Sequence, residues 1–260
     1  MRIASLGHAV FALTMIGVGI AGLMQGDFVQ MWRPVPKLWP AREVLIYLCA
    51  AIALSGGAGL LWRRSAASAA RALFFYLLVW TLLTKARFIV LAPLTEGSYQ
   101  SCGENAVIVA AAWVLYVRFA SDWDRRHLRL FSGAAALRAA QVLFGLALIA
   151  FGLSHFVYLN MTAPLVPGWL PWHDGWAYFT GCTYLAAGLA VLVGARARLA
   201  ATLAAWQMGL FTVLVWTPLL LAGTLSASQG GEFLVSWILT AAAWVLADSY
   251  RDGKGGGYDT

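Results

Sequence analysis

Charged residues are scarce in this sequence. Lys and Arg together number 18, Asp and Glu 11, and the four types make up 11% of 260 residues. A soluble domain has about 25%. A surface that faces water cannot be built from so few charges, and 61% of the residues are apolar. This composition excludes a soluble domain, a disordered chain and a nucleic-acid-binding protein.

Cysteine is also scarce, and Cys49, Cys102 and Cys182 form no C-x-x-C pair. The chain therefore offers neither a thiol redox pair nor a zinc knuckle. It contains no Walker A, H-E-x-x-H or G-x-S-x-G motif, so nucleotide hydrolysis, zinc proteolysis and serine-esterase chemistry have no support. We expect no metal site and no independent catalytic motif.

Long apolar runs dominate the sequence instead. A helix that spans a membrane needs about 20 mostly apolar residues. Eight runs meet this requirement, at residues 4–24, 44–62, 72–92, 105–120, 137–159, 175–194, 199–222 and 232–248. They predict an all-α integral membrane protein with eight transmembrane helices, embedded in a lipid bilayer.

The two halves of the chain resemble each other when the sequence is shifted by about 130 positions. Gly22 then aligns with Gly152, and residues 34–40 align with residues 164–171 with one residue inserted. Because each unit holds four helices, both copies enter the membrane from the same side. We predict two parallel four-helix repeats at residues 1–121 and 137–249, a cytoplasmic linker at 122–136 and a flexible tail at 250–260.

The cationic residues predict the orientation, because cytoplasmic segments are enriched in Lys and Arg. With the N-terminus inside, 13 of the 18 lie in inner segments: Arg2, Arg63, Arg64, Arg71, Arg118, Arg125, Arg126, Arg129, Arg138, Arg196, Arg198, Arg251 and Lys254. We therefore expect both termini in the cytoplasm. The net positive charge of the chain then follows from its membrane topology and from attraction of the inner segments to anionic lipid.

The second half carries a family pattern. It consists of Gly152-Leu153-Ser154-His155-Phe156, the proline-containing stretch 164–171, a helix of small residues from Gly181 to Gly194, Arg196 and Arg198, and Trp216-Thr217-Pro218. This pattern resembles the DoxX-like family of four-helix bacterial membrane proteins, which is related to the small subunit of thiosulfate:quinone oxidoreductase. The resemblance covers most of residues 137–248 and, more weakly, 4–120.

The resemblance implies a fused tandem of two such units in a bacterial inner membrane. It implies an auxiliary or quinone-interacting component of a redox or stress-response system, with quinone as the ligand and a membrane redox protein as the partner. As an enzyme, the chain is at most a subunit of a quinone-linked oxidoreductase. Two alternatives stay open, namely a small-solute transporter or channel and a non-catalytic scaffold for a partner enzyme.

Seven ionisable residues are candidates for an outward-facing ligand pocket. Lys85 and Arg87 lie inside the third span, where cations are costly and often functional, although snorkelling to the interface is the alternative. The others lie where the first two helices of each half meet the outer surface. His155 and His173 suit a metal or a proton relay, or serve as polar residues at a helix end. The predicted pocket residues are Lys85, Arg87, Arg42, Glu43, His155, His173 and Asp174.

Two further features have both a structural and a functional interpretation. Glu104 and Glu232 each precede a predicted helix, which favours capping over a proton relay. Tryptophans in the outer loops favour anchoring at the membrane interface, with a lid over the bundle mouth as the alternative. They are Trp32, Trp39, Trp169, Trp172 and Trp176.

Overall fold

The computed structural model describes residues 4–251, which contain eight helices long and apolar enough to cross a membrane. No strand occurs within that range. The predicted all-α membrane fold with eight spans is confirmed. The helices are α1 (Leu6–Gln25), α2 (Arg42–Leu61), α3 (Ala66–Leu91), α4 (Glu96–Phe119), α5 (Ala134–Val157), α6 (His173–Val193), α7 (Ala197–Leu221) and α8 (Ala227–Ser249).

Helix α4 begins nine residues before the start that hydropathy predicts, at Glu96 instead of residue 105. Its first two turns are polar, and they form helix because their polar groups find partners. The Ser154 hydroxyl donates to the Glu96 carboxylate, and the Gly97 amide donates to the Tyr158 hydroxyl. Glu104 therefore lies inside the helix, and the predicted capping role is wrong for it.

Helix α8 also begins earlier than predicted. Ser226 caps it, since its hydroxyl accepts from the Gln229 amide while the Gln229 side chain accepts from the Ser226 amide. This reciprocal capping box satisfies two of the free N–H groups at the helix start. Glu232 lies five residues inside α8, so the capping interpretation is wrong here too.

The helices follow the same packing order in each half. In the first half α1 packs on α2, α2 on α3 and α3 on α4, and in the second half α5 packs on α6, α6 on α7 and α7 on α8. The halves join where α4 packs on α5, α8 on α1, and α4 on α8. Helices α4 and α8 therefore lie at the junction of the halves, and α4 has the largest buried share of the eight.

Glycines allow the backbones of two helix pairs to approach closely. A Cβ atom on Gly57 of α2 would lie 2.6 Å from the Ala12 carbonyl oxygen of α1. On Gly152 of α5 it would lie 2.9 Å from the Gly181 carbonyl oxygen of α6. Only hydrogen fits at such positions, which is typical of helix contacts in membranes.

Helices α3 and α7 are each interrupted by one turn of π-helix. The segments are Leu82–Ala86 and Thr212–Trp216. A π turn carries one extra residue, changes the direction of the side chains around it and frequently occurs at functional sites. Lys85 and Trp216 belong to these segments, and both side chains are buried.

The connection between the halves contains the short helix Asp122–His127 and the 3₁₀ turn Arg129–Phe131. Helix α5 then begins at Ala134, inside the segment predicted as linker. Most of the predicted tail, residues 252–260, lies outside the described residues, as do Arg2 and Lys254.

Asp124 holds this connection against the first half. Its side chain is fully buried and accepts hydrogen bonds from Arg71 Nη1 at 2.8 Å and from the Tyr116 hydroxyl at 3.1 Å. The amide and hydroxyl of Ser121 bond its second oxygen. The carboxylate thus ties α3, α4 and the connection together.

Replacing Asp124 by alanine is expected to destabilise the protein by about 2–3 kcal/mol, because several buried donors lose their acceptor. For a chain of this size, this lowers Tm by about 5–10 °C. The measurement is thermal unfolding in detergent followed by circular dichroism. Asp122→Ala, at an exposed position of the same helix, is the matched control and should leave Tm unchanged. Equal Tm values for the two variants would contradict this role.

The same carboxylate makes stability depend on pH. Burial raises the pKa of Asp124, but the hydrogen bonds from Ser121, Arg71 and Tyr116 together lower it further, so the pKa lies below the ordinary value. Its contribution is complete above the unfolded pKa of about 4 and is lost as pH falls through the folded pKa. We expect Tm to fall more between pH 6 and pH 3 in the wild type than in Asp124→Asn. Parallel losses in both proteins would show that other groups control acid unfolding.

Candidate functional site

A cavity of about 530 Å³ lies among α4, α5, α6, α7 and α8. It begins at the loop face, defined here as the face opposite the chain termini, where Tyr158 and Leu165 line it. It extends to Met208 and Leu239, about midway along α7 and α8. Its volume lies within the range of about 300–1,000 Å³ that is usual for small-molecule sites.

Aromatic rings form much of the wall. The Phe151 and Tyr184 ring centroids are 6.0 Å apart in an edge-to-face arrangement, and the His155 ring lies 5.7 Å from Tyr184. Phe211 and Trp216 meet edge to face at 6.2 Å on the α7 side. Such walls suit a flat apolar ring, because stacking on the aromatic side chains and transfer out of water both stabilise the bound ring.

Two carboxylates from the central helices also line the cavity. Glu104 lies eight residues after the start of α4, about 12 Å along the helix axis. Glu232 comes from the second turn of α8, and its Oε1 accepts from Gln30 Nε2 at 3.1 Å. Ionisable groups as deep as Glu104 are costly and are often functional, whereas Glu232 lies nearer its helix start and is exposed.

Lys85 supplies the opposite charge. Its side chain is only 4% exposed, its Nζ donates to Ser101 Oγ at 3.0 Å, and Glu104, Cys102 and Glu232 are the acidic groups near enough to act on it electrostatically. A buried ammonium group needs such partners, because an isolated charge in an apolar interior is very costly. We call Lys85, Glu104 and Glu232 the charge cluster.

Three hydrogen-bonding groups have fixed orientations at the cavity. His155 Nδ1 lies 2.8 Å from the Phe151 carbonyl oxygen, so Nδ1 carries the proton and the neutral ring presents Nε2 as an acceptor. The Tyr158 hydroxyl accepts from the Gly97 amide and keeps its own proton for donation. Trp216 Nε1 donates to Ser236 Oγ at 2.9 Å, which orients the indole.

Among the seven residues predicted from the sequence, only His155 lies on the wall of this cavity. Lys85 does not line it, whereas Glu104, which acts on Lys85 electrostatically, does. His173 and Asp174 line a separate shallow recess beside Trp172 at the loop face.

The remaining predicted residues have other contacts. Arg42 forms an ion pair with Asp27 at 2.5 Å, and its guanidinium lies 5.2 Å from the Phe28 ring centroid. Glu43 is exposed, and the Arg87 guanidinium lies over the ring of its neighbour Phe88. The structure therefore does not bring the seven residues into one pocket.

Sequence reasoning missed both carboxylates as cavity residues. The polar start of α4 lowers its hydropathy, so the hydropathy profile predicts this span only from residue 105. The spacing of Gly97, Gln100 and Glu104 was the available signal, because positions i, i+3 and i+7 share one helix face. All three line the cavity.

Trp32 also differs from expectation. The predicted role as an interface anchor is wrong for this residue, because its side chain is completely buried. Trp169 and Trp172 are 71% and 81% exposed at the loop face, where anchoring remains a prediction for them.

Comparison with protein families matches residues 144–244 to a family described as a domain of unknown function, DUF8561. The matched stretch runs from within α5 to within α8 and thus includes most of the cavity wall. No curated protein and no solved structure matches the chain at a significant level.

The charge cluster predicts an energetic coupling between Lys85 and Glu104. Lys85→Met and Glu104→Gln should each destabilise the protein, because each removes an opposite charge that acts on the remaining one in a poorly solvated place. The loss of unfolding free energy in the double variant should be smaller than the sum of the two single losses by about 1–2 kcal/mol. Unfolding of the four proteins in detergent measures this coupling. Arg87→Met combined with Glu104→Gln is the matched control, for which additive effects are expected; additivity for Lys85 as well would contradict the cluster.

Proposed function

We propose that the chain is a tandem of two parallel four-helix units, of DoxX-like type, and that the cavity of the second unit binds a quinone. Two observations support the duplication. The π segments of α3 and α7 are separated by the same shift of about 130 residues that aligns the sequence halves. The packing order of the four helices is also the same in both halves.

The quinone assignment rests on one observation, namely that an aromatic-lined cavity at membrane depth carries donors, acceptors and carboxylates on its wall. A quinone has a flat apolar ring with two carbonyl oxygens, and it supplies two-electron, two-proton redox chemistry when bound. The Tyr158 hydroxyl would donate to a carbonyl oxygen of a bound quinone, and His155 Nε2 would be available as an acceptor on the same wall. Glu104 and Glu232 lie on the same wall and add carboxylate oxygens as hydrogen-bond acceptors.

The proposed biological role is that of an auxiliary component of a redox or stress-response system, in which a membrane redox partner exchanges electrons with the bound quinone. We place the chain in a bacterial inner membrane with both termini in the cytoplasm. Exposed arginines on the face of the termini support this orientation, including Arg63, Arg64, Arg125, Arg126 and Arg196.

Proton-coupled transport of a small solute is a second candidate, favoured by the depth of Glu104 inside α4. Carboxylates within spans are typical of proton relays in transporters. A π turn in α3 and in α7 adds a place where each helix can bend.

The direct test of the quinone proposal is mass spectrometry of small molecules that co-purify with the full chain in mild detergent. We expect quinone close to one molecule per chain in the wild type. Retention should fall at least about tenfold in His155→Leu and Glu104→Gln, since each loses a polar contact worth more than about 1.4 kcal/mol. His173→Ala, in the separate recess, is the matched control and should retain quinone.

Absence of quinone from the wild-type protein and from its quinone-supplemented form would contradict the proposal. Solute uptake by proteoliposomes under a proton gradient, lost in Glu104→Gln, would then support the transport candidate.

A further inference from the structure

We infer that the cavity accepts a ligand with a fused bicyclic ring, and that the small side chain of Thr162 leaves the space for this ring open. The inference rests on the proposed quinone binding and specifies the class of quinone. It follows from a comparison of the cavity with the corresponding space in the first half.

The sequence shift of 130 that aligns Gly22 with Gly152 continues without a gap as far as Pro34 and Pro164 in the following loop. It therefore places Trp32 opposite Thr162 and Phe28 opposite Tyr158. The members of each pair differ in location: Trp32 and Phe28 are completely buried in the core, whereas Thr162 and Tyr158 line the cavity.

The surroundings of Trp32 show what fills this space in the first half. The indole lies against Gly22, whose Cβ position is 3.1 Å from the indole Cζ3 atom, and it meets the Phe28 ring edge to face at 6.5 Å. Trp80 of α3 donates from Nε1 to the Trp32 carbonyl oxygen at 3.2 Å and closes the space from the third helix.

In the second half the corresponding position carries only the small side chain of Thr162. Tyr158 replaces Phe28 beside it, and Leu210, which corresponds to Trp80 in the sequence, is exposed and does not line the cavity. The space that an indole fills in the first half is therefore available to a ligand ring, in the cavity that Phe151, Tyr184 and Thr162 line together. An indole is a flat fused bicycle, so a naphthoquinone-type ring fits this place. Because the Trp32 indole fills the corresponding space in the first half, we expect one ligand per chain.

The experiment compares two diones by equilibrium dialysis against the full chain in detergent. They are 2,3-dimethyl-1,4-naphthoquinone and tetramethyl-1,4-benzoquinone, whose quinone rings are fully substituted and do not add to cysteine thiols. We expect the fused-ring dione to bind about tenfold more tightly, with one molecule per chain, because the second ring buries additional apolar surface.

Thr162→Trp should weaken binding of the naphthoquinone at least about tenfold, because the new indole takes the place of the ligand ring. Thr162→Val, which keeps the volume of the side chain, is the matched control and should bind as the wild type does. Thermal unfolding of each variant checks that it is folded, and the comparison of the two diones in the wild type decides the inference if Thr162→Trp does not fold.

Equal or tighter binding of the benzoquinone, unchanged binding in folded Thr162→Trp, or two molecules per chain would each overturn the inference and leave quinone binding in place. Failure of both diones to bind would overturn the proposed function itself.

Discussion

Direct contact between small-residue faces of helices is the interaction on which this structure depends. In a bilayer, lipid tails are as apolar as leucine, so that association of helices relies on close packing and internal hydrogen bonds. Backbone contacts at Gly57 with Ala12 and at Gly152 with Gly181 bring α1 to α2 and α5 to α6. The third helix of each half packs beside such a pair. We propose that the loop residue at this position, Trp32 or Thr162, decides whether an indole or a ligand fills the space beside the pair.

The buried charge of Lys85 imposes a second constraint. Its Nζ donates to Ser101 of α4 at the junction of the halves, and Glu104 of α4 and Glu232 of α8 act on it electrostatically. These carboxylates also line the cavity, so the groups that balance Lys85 are available to a ligand. The first half thus contributes charge to a site whose aromatic wall comes mostly from the second half.

Hydropathy alone predicts the eight spans, because each helix must present apolar side chains to lipid over its length. It fails at the polar start of α4, where Glu96 and Ser101 are bonded to side chains far away in sequence. The cavity could not be predicted for the same reason. In our interpretation it depends on the side chain at one loop position, which is Trp32 in the first half and Thr162 in the second. A hydropathy profile classes both positions as loop and does not distinguish them.

The central claim is that a quinone-type ring occupies the cavity of the second half. Photocrosslinking with a naphthoquinone that carries a small photoreactive azide tests it most directly, with the labelled peptides identified by mass spectrometry. We expect labels on the cavity side of α5 and the loop after it, around residues 151–165, and on α8 around residues 232–239, and we expect excess unlabelled naphthoquinone to suppress them. Labels confined to α1–α3, or labels on lipid-facing residues that excess ligand does not suppress, would contradict it.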